Sequence, residues 1–352
     1  MTKIFKTNPF FIRLFNWEYW NMYVLYAPVF FYYLYLSAKA RSFLFFSAAN
    51  PSIVTGGFAG ESKIHIINAA PAHLQPKTVF VPRNTTLNRV YADIDAAGIA
   101  YPLIVKPDVG QRGLLVEKIP DEAALKGYHT RFSAVDLLIQ NFVDLPIELS
   151  VLHYRFPNRQ SGNISSVTLK EHLRVTGNGK DTLQQLIENY PRAVLQKKRL
   201  AKLYQKEWNA ILPEGKTLLL EPIGNHSRGT MFLNGNHLID QTLIRVFDQI
   251  NHQLPHVYFC RFDLKCTSID DLKQGKNIQI LEINGVGAEP AHIYHPGYPL
   301  RKAIADLFAH WKIIYEISVF NNRQFNIGFM PFTEAKTHFS HFRRYLNQVS
   351  KL

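Results

Sequence analysis

Residues 280–290 run Ile280-Leu-Glu-Ile-Asn-Gly-Val-Gly-Ala-Glu-Pro290, an apolar strand pattern that carries two polar side chains and ends in a glycine-containing turn. Glu282 and Asn284 are two residues apart, so on a strand they face the same side, and Asp263 in a neighbouring predicted strand can join them. Proteins bind Mg²⁺ through one or two carboxylates together with substrate phosphates. The alternative is a structural hydrogen-bond network, because polar groups on an apolar strand need partners. We expect Asp263, Glu282 and Asn284 to form a magnesium site.

A second segment, Pro102-Leu-Ile-Val-Lys-Pro-Asp-Val-Gly-Gln-Arg-Gly113, predicts a strand that ends near Lys106 and enters a loop with Gly110 and Gly113. A strand lysine can hold phosphate oxygens while a glycine loop lets backbone N–H groups approach them. The alternative is an ordinary hairpin with a solvated lysine.

A third segment, residues 138–148, is an apolar strand followed by a polar turn and then by Glu148 on the next predicted strand. The backbone of residues 140–143 can face a purine edge, and a carboxylate such as Glu148 can accept hydrogen bonds from ribose hydroxyls. The alternative is a surface glutamate on an edge strand.

Taken together and in this order, these segments resemble the ATP-grasp superfamily over roughly residues 60–315. Residues 174–187 and 222–229 resemble cyanophycin synthetase and its ligase relatives. Trp17–Trp20 and Ser47–Pro51 resemble bacterial ATP-grasp proteins labelled D-alanine–D-alanine ligase-like. The resemblance implies an α+β fold in which two α+β subdomains sandwich the nucleotide, here with an aromatic helical segment at the N-terminus.

The resemblance also implies an ATP-dependent carboxylate-amine ligase that acts through an acyl phosphate, with ATP and Mg²⁺ as cofactors. Its nucleotide-binding positions would be Lys63, Lys106, Gly110, Gly113, Gln140, Asn141, Phe142, Val143 and Glu148. The hinge departs from the family, which usually has acidic residues where this chain has Gln140 and Asn141. Because residues 1–60 replace the domain that normally helps to bind the acceptor, neither the carboxylate nor the amine substrate can be carried over.

Three residues are candidates for catalysis. Arg228, in the loop 225–229, has the planar guanidinium that suits an oxyanion and is expected to orient the carboxylate or the transferring phosphoryl group. His292 and His295 follow the predicted metal strand, and either imidazole can accept the amine's proton near neutral pH. The alternatives are a surface arginine and hydrogen-bonding loop histidines.

The N-terminal segment raises a membrane question, because residues 22–36 are uncharged and rich in aromatic side chains. A membrane-spanning helix needs about 20 apolar residues, so this stretch is short for a span. The favoured hypothesis is an interfacial anchor, with Lys39 and Arg41 facing anionic lipid and the bilayer presenting a hydrophobic acceptor. The alternatives are an aromatic core helix and a true span.

Composition narrows the class of protein. The chain has 352 residues, of which 47% are hydrophobic, so it is not intrinsically disordered, and its net charge of +13 favours an anionic partner. No nucleic-acid-binding module accompanies the charge, so nucleic acid is not expected. The two cysteines, Cys260 and Cys266, match neither a zinc spacing nor a disulfide framework. We expect inert thiols and a cytoplasmic protein, peripheral to the inner face of the membrane.

Apolar periodicity predicts strands alternating with helices after residue 60, and helices at the end of the chain. The predicted strands are 78–81, 103–106, 114–119, 137–143, 147–155, 164–173, 217–222, 257–264 and 278–284. Residues 190–216, with seven basic and two acidic side chains, predict a helical insert that covers the nucleotide, faces lipid or is simply solvated. The expected domains are an aromatic segment at 1–60, the ATP-grasp domain at 61–315 and a helical tail at 316–352.

Two other function classes stay open beside the ligase. One is an ATP-grasp kinase that phosphorylates its substrate without ligation. The other is a nucleotide-binding protein without turnover. The presence of Asp263, Glu282 and Asn284 disfavours the last class, and segments 174–187 and 222–229 favour the ligase over the kinase.

Overall fold

The computed structural model describes residues 7–111 and 113–351 and has an α+β fold with antiparallel sheets. Outside the described residues lie residues 1–6 of the predicted N-terminal segment, Arg112 of the glycine loop and Leu352 of the predicted tail.

Two helices form the N-terminal segment, α1 (Pro9–Phe15) and α2 (Met22–Ala40). One side of α2 is buried in a core that includes Leu25, Val29 and Tyr33. Its other side exposes large apolar side chains such as Phe31 and Tyr35. The segment is therefore both a core helix and an exposed apolar surface. Within residues 7–111 and 113–351, no helix is long and apolar enough to cross a membrane.

Asn50 joins this segment to the rest of the fold. Its buried side chain donates to the carbonyls of Gly56 and Phe259 (2.9 and 2.7 Å) and accepts from the amides of Tyr258 and Phe259 (2.8 and 2.9 Å). A polar side chain with both ends satisfied is stable in a core. Residues 47–51 are thus fixed against the sheet that carries the site.

The first lobe follows the short helix α3 (Lys63–Ala69). It contains a four-stranded antiparallel sheet in the order β1-β4-β2-β3, packed against two helices. In chain order its elements are β1 (Thr78–Val81), α4 (Leu87–Ala96), β2 (Leu103–Pro107), β3 (Glu117–Ile119), α5 (Glu122–Phe132) and β4 (Leu137–Asn141).

The second lobe contains a five-stranded antiparallel sheet in the order β11-β10-β5-β6-β9. An insert with its own small core interrupts it between β6 and β9. The elements from β5 to the end of the insert are β5 (Ile147–Tyr154), β6 (Asn163–Glu171), β7 (Arg174–Thr176), α6 (Leu183–Asn189), α7 (Pro191–Val194), α8 (Lys197–Leu203) and β8 (Thr217–Leu219). The lobe ends with β9 (Met231–Asn234), α9 (Gln241–Asn251), β10 (Phe259–Cys266), α10 (Ile269–Gln274) and β11 (Ile278–Asn284).

Two helices end the chain, α11 (Leu300–Phe325) and α12 (Phe332–Val349). Helix α11 packs on α2, and α12 reaches from that core to the first lobe. Ala335 of α12 is buried in the core shared with α2, and Val349 is buried in the core of the first lobe. Between them, Tyr345 donates to the carbonyl of Val109 (2.9 Å) in the glycine loop.

Most of the predicted strands are confirmed, although several are shorter than expected. Residues 113–116 form the turn of the glycine loop, so β3 begins only at Glu117, and β8 ends at Leu219. The insert is only partly helical, and several of its basic residues form ion pairs instead of a solvated face. Arg192 binds Glu18 (2.8 Å), Lys197 binds Glu188 (2.7 Å) and Arg199 binds Glu221 (2.6 Å). Both cysteines are free and buried, where burial raises the pKa of the thiols.

Candidate active site

Strand register builds an ionic face on the second sheet. In β10, Arg261, Asp263 and Lys265 alternate with core residues, so all three face the cleft. Antiparallel pairing sets Asp263 opposite Glu282 of β11 and opposite Ser150 of β5. Side chains that are far apart in sequence therefore meet on one surface.

Asp263 is the centre of this face. Its carboxylate accepts from Arg261 (Nη2 to Oδ2, 2.9 Å), from Asn284 (Nδ2 to Oδ2, 2.9 Å) and from the hydroxyl of Ser150, and Lys170 lies 3.4 Å away. Burial alone would raise the pKa of Asp263, but Arg261 and Lys170 outweigh it and hold that pKa well below its usual range. Asp263 is therefore a fixed negative charge.

The predicted magnesium ligands are thus brought together. Asp263 accepts directly from Asn284, and Glu282, its register partner on β11, has a side chain that is 32% exposed. The donor set of two carboxylates and an amide fits a hard cation that also takes phosphate oxygens. In the described part of the chain, no cluster of three or more His, Cys, Asp or Glu side chains is placed to hold a metal ion. A magnesium ion here would depend on substrate phosphates for its other ligands.

Lys106 enters the cleft from the opposite sheet. Its Nζ donates to the carbonyl of Leu281 (3.0 Å), which is the extra residue of a β-bulge in β11. Burial lowers the pKa of Lys106 to about 8, although Glu282 and Asp263 partly oppose this. Because burial makes this amine costly to charge, a nearby anion would favour its charged form strongly.

Lys63 and the glycine loop lie beside Lys106. Lys63 Nζ donates to the carbonyl of Gly110 (2.7 Å) and lies 3.7 Å from Glu282. Asp108 accepts from the amide of Ile64 (2.8 Å), which fixes the start of α3 on the loop. Both predicted phosphate-binding lysines therefore stand next to the predicted metal ligands.

The predicted hinge lines the same cavity. Gln140 donates to the hydroxyl of Thr78 (2.8 Å), and the Val143 carbonyl accepts from Lys265 (3.0 Å). Lys118 stands 3.6 Å over the ring of Phe142. Asn141 and the other three hinge residues all border the cavity.

Glu148 is buried among cations. Lys170 and His172 lie 3.2 Å from its carboxylate, and Lys265 lies at 3.9 Å. Burial would raise its pKa, but these groups lower the pKa of Glu148 to about 2. A Cβ on Gly224 would lie 1.8 Å from Oε1, so only glycine fits against this carboxylate. Glu148 borders the cavity, where it was predicted to face ribose.

Arg228 contacts the glycine loop. It donates to the carbonyls of Gly113 (2.6 Å) and Val116 (3.2 Å), and it lies 3.8 Å from Glu221. Gly113 has φ +71°, a conformation that favours glycine. Arg228 is not among the described residues that border the cavity, so it supports the loop from behind.

The two candidate histidines also lie outside the cavity. His292 is buried, with Nδ1 2.8 Å from the Ser166 hydroxyl and Nε2 3.3 Å from Asp306. Burial lowers its pKa. The Nδ1 of His295 accepts from the amide of Asn234 (3.3 Å). Neither ring is placed next to Asp263 in this structure, although both stay close to the site in sequence.

Several cleft residues were not predicted. Arg261 and Lys265 share the face of Asp263, a position that the period of two already indicated. The position of Lys170 could not be predicted without the register of β5 and β6, because it is this strand pairing that sets Lys170 opposite Glu148. His310 also borders the cavity, where burial and then Arg261 lower its pKa to about 3.

The N-terminal segment completes the cleft. Gly57 and Gly285 pack so closely that a Cβ on Gly57 would lie 2.7 Å from the Gly285 Cα. The amides of Val286 and Gly287 donate to the carbonyls of Gly56 and Gly57 (3.1 and 2.9 Å). The result is one cavity of about 1290 Å³, bordered by both lobes and by residues 13–30 of the N-terminal segment. Most single-ligand pockets are roughly 300–1,000 Å³, so this cavity has room for more than one small-molecule ligand.

No family model matches the sequence, and no curated protein sequence is similar to it. Solved structures with a similar chain course include a D-alanine–D-alanine ligase from Bacillus anthracis complexed with ATP (13% identity, TM-score 0.38, 70% of this chain and 61% of that chain). Another is the D-alanine–D-alanine ligase from Coxiella burnetii (11% identity, TM-score 0.40, 75% and 58%). A third is a bifunctional glutathione synthetase from Pasteurella multocida (13% identity, TM-score 0.37, 67% and 34%).

This chain spans about a third to three fifths of the length of these solved structures. What the cleft can bind follows from its own side chains. In the course of part of its backbone, the chain is similar to these two D-alanine–D-alanine ligases and to this glutathione synthetase.

Proposed function

We propose that this protein is an ATP-dependent carboxylate-amine ligase. The observation that supports the proposal is the meeting of Lys63 and Lys106 with Asp263, Glu282 and Asn284 in one cavity. Cations and metal-ligand oxygens placed side by side in a partly closed cleft suit the triphosphate of a nucleotide.

In the proposed reaction, a substrate carboxylate oxygen attacks the γ-phosphorus of ATP, and the bond to ADP breaks. The acyl phosphate is then attacked at its carbonyl carbon by an amine, which forms an amide and releases phosphate and a proton. Such transfers depend on positioning and charge neutralisation more than on covalent help from the protein. No serine or cysteine nucleophile is needed.

The residues of the chain supply that positioning. Lys63, Lys106 and Lys170 lower the local negative charge, and the fixed carboxylate of Asp263 orients Arg261. The Arg261 guanidinium also donates to the carbonyl of Glu289 (3.4 Å) and borders the cavity, and we assign it to the substrate carboxylate because a guanidinium pairs well with that group. A bound Mg²⁺ ion would neutralise phosphate charge, and Asp263, Glu282 and Asn284 would hold it.

The roles proposed for the remaining candidates follow their positions. Arg228 is a positioning residue, because its donors hold the carbonyls of the glycine loop. The proton-accepting role of His292 or His295 stays a prediction, and it requires the loop 291–298 to move toward the cleft.

The exposed aromatic side of the N-terminal segment supports a second part of the proposal, contact with an anionic membrane surface on the cytoplasmic side. Phe10, Phe15 and Phe31 are all more than 60% exposed, and Lys39 and Arg41 are exposed at the end of α2. Aromatic side chains settle at the headgroup boundary, and each basic residue there contributes about 1 kcal/mol.

Flotation with phosphatidylglycerol vesicles tests membrane contact. Changing Phe10, Phe15 and Phe31 to serine should abolish flotation and leave the unfolding curve unchanged, since these side chains lie outside the core. Tyr33→Ser is the contrasting variant, because Tyr33 is buried against Phe45 and Trp311 and its loss should destabilise the fold. A wild-type protein that does not float would disprove membrane contact.

A screen that measures ADP and phosphate release separately tests the ligase. With carboxylate and amine fractions of a cell extract, a ligase releases phosphate only when both substrates are present. A kinase releases ADP without phosphate, and a protein without turnover releases neither. Either of the last two patterns with every fraction would disprove ligation.

A further inference from the structure

The cavity has two chemically different arms. Around Lys106, Asp263 and Glu282 its wall is ionic. Near Arg261 it also extends between residues 17–20, α2 and the loop after β11, where aromatic and aliphatic side chains dominate and Arg13 of α1 is a charged member of the border. The members of this second wall, which we call the aromatic arm, are Trp17, Tyr19, Trp20, Met22, Tyr23, Leu25, Tyr26, Phe30, Phe232, Tyr294 and Trp311.

The carboxylates in the aromatic arm already have partners. Glu18 accepts from Arg192 (2.8 Å) and lies 3.1 Å from His226. Glu289 accepts from the hydroxyls of Tyr26 and Tyr294. Satisfied carboxylates have little need of a ligand, so the surface left for binding in this arm is largely apolar.

The rings form a continuous wall. The centroid of Tyr294 lies 5.9 Å from that of Trp17 and 5.2 Å from that of His226, and His226 lies 5.9 Å from Tyr19. Trp17 is fixed by its indole N–H, which donates to the carbonyl of Tyr298 (2.6 Å). Anchored rings offer an apolar surface at little cost in conformational entropy.

The aromatic arm opens at the exposed side of α2. Met22, Tyr23 and Phe30 border the cavity and are also 43%, 81% and 51% exposed. A side chain can satisfy both conditions only where the cavity reaches the surface. The opening therefore lies on the same apolar surface that carries Phe31 and Tyr35.

We propose that one of the two substrates is an amphiphile with a single apolar chain. Its carboxylate or amine, the groups that the proposed reaction joins, lies near Arg261 and Glu289, and its chain follows the aromatic arm to the opening on α2. The proposal rests on the proposed ligase function for the role of the head group. The apolar chain site itself depends only on the walls described above.

The test is a titration without nucleotide, using alkanoates and alkylamines of four to ten carbons below their micelle concentrations. Three of the four tryptophans, Trp17, Trp20 and Trp311, border the cavity, so intrinsic fluorescence reports binding. Affinity in at least one series should rise roughly fourfold for each added methylene, as for burial of a CH₂ group. Affinity independent of chain length in both series would overturn the proposal.

Two adjacent positions give a matched pair of variants. Phe30→Asp places a charge at the opening and should weaken binding of the ten-carbon probe about tenfold or more. Phe31→Asp changes a residue that is 71% exposed and outside the cavity wall, and it should alter binding less than twofold. Equal losses in both variants would overturn the assignment of the opening.

Two further measurements test the apolar site separately from the ligase proposal and identify the source of the apolar chain. Both variants should bind ATP as the wild type does. If the ligase proposal is wrong, the wild type will not bind ATP, but the titration with the alkyl probes still tests the apolar site. Repeating the titration with phosphatidylglycerol vesicles distinguishes the sources of the chain. Stronger binding by wild type and not by Phe30→Asp supports delivery from the bilayer, and unchanged binding supports uptake from solution.

Discussion

Replacing Lys106 by methionine should weaken nucleotide binding and stabilise the empty protein at the same time. Lys106 is 7% exposed, and burial lowers its pKa from 10.5 to about 8. At about 1.4 kcal/mol for each pH unit, keeping this amine charged in the fold costs about 3 kcal/mol. The hydrogen bond to Leu281, about 1 kcal/mol, is lost in the variant. The expected net gain in the free energy of unfolding is about 2 kcal/mol.

The stability gained in Lys106→Met depends on pH. Because the pKa is lower in the folded than in the unfolded state, the unfolded chain binds more protons between pH 8 and 10.5. The wild type therefore becomes more stable through that window, and the gain of Lys106→Met is full below pH 8 and disappears above 10.5. Urea unfolding at pH 7 and at the highest pH that the protein tolerates measures the difference.

Lys106→Met should weaken nucleotide binding even though it stabilises the fold. A charge-assisted contact contributes about 1.5–3 kcal/mol, so the dissociation constant of ATP should rise roughly 10- to 150-fold in Lys106→Met. Lys77→Met is the control, because Lys77 is exposed and also donates to a carbonyl of the first lobe, that of Gly98 (3.0 Å). A Lys106→Met protein that is destabilised and binds ATP as tightly as wild type would refute the reasoning.

Glu282→Ala or Asn284→Ala should leave the protein folded and abolish Mg²⁺-dependent release of ADP; turnover near the wild-type rate in either variant contradicts the metal assignment. Glu148→Gln should lower the free energy of unfolding at pH 7 by about 3 kcal/mol, because the pKa of Glu148 falls from 4.5 to about 2 on folding. The wild type should lose this stability as the pH falls from 4.5 to 2, and urea unfolding at pH 7 and pH 3 would show no such difference between the two proteins if Glu148 were solvated. Arg228→Met should raise the KM for ATP roughly 30-fold with a smaller change in kcat, as expected for two lost hydrogen bonds of about 1 kcal/mol each to the glycine loop, and Arg228→Lys should restore part of it. A fall in kcat at unchanged KM would place Arg228 on the reacting groups instead.

The parts of the site that could be predicted from the sequence are those that depend on strand periodicity. Glu282 and Asn284 share a face because they are two residues apart, and the same rule applied to β10 would have added Arg261 and Lys265 to Asp263. Basic side chains on strands are usually solvated, so this signal was present in the sequence but was not used to predict Arg261 and Lys265.

Contacts between distant segments could not be predicted. The buried pair of Glu18 and Arg192 joins residues 174 positions apart, and no local pattern at either end indicates it. His292 likewise contacts residues of other elements, Ser166 of β6 and Asp306 of α11. Helix α9 could have been predicted from the sequence but was not. Asp240 caps its N-terminus, and its buried residues repeat at helical spacing, at Leu243, Phe247 and Ile250.

The last helix sets how the cleft can move. Helix α12 is anchored in two cores, by Ala335 near its beginning and by Val349 at its end. These anchors are 14 residues apart, about 21 Å at 1.5 Å per residue, and an intact helix cannot lengthen. The helix therefore fixes the distance between these two buried points. We expect any opening of the cleft to be a rotation about this helix and not a separation along it.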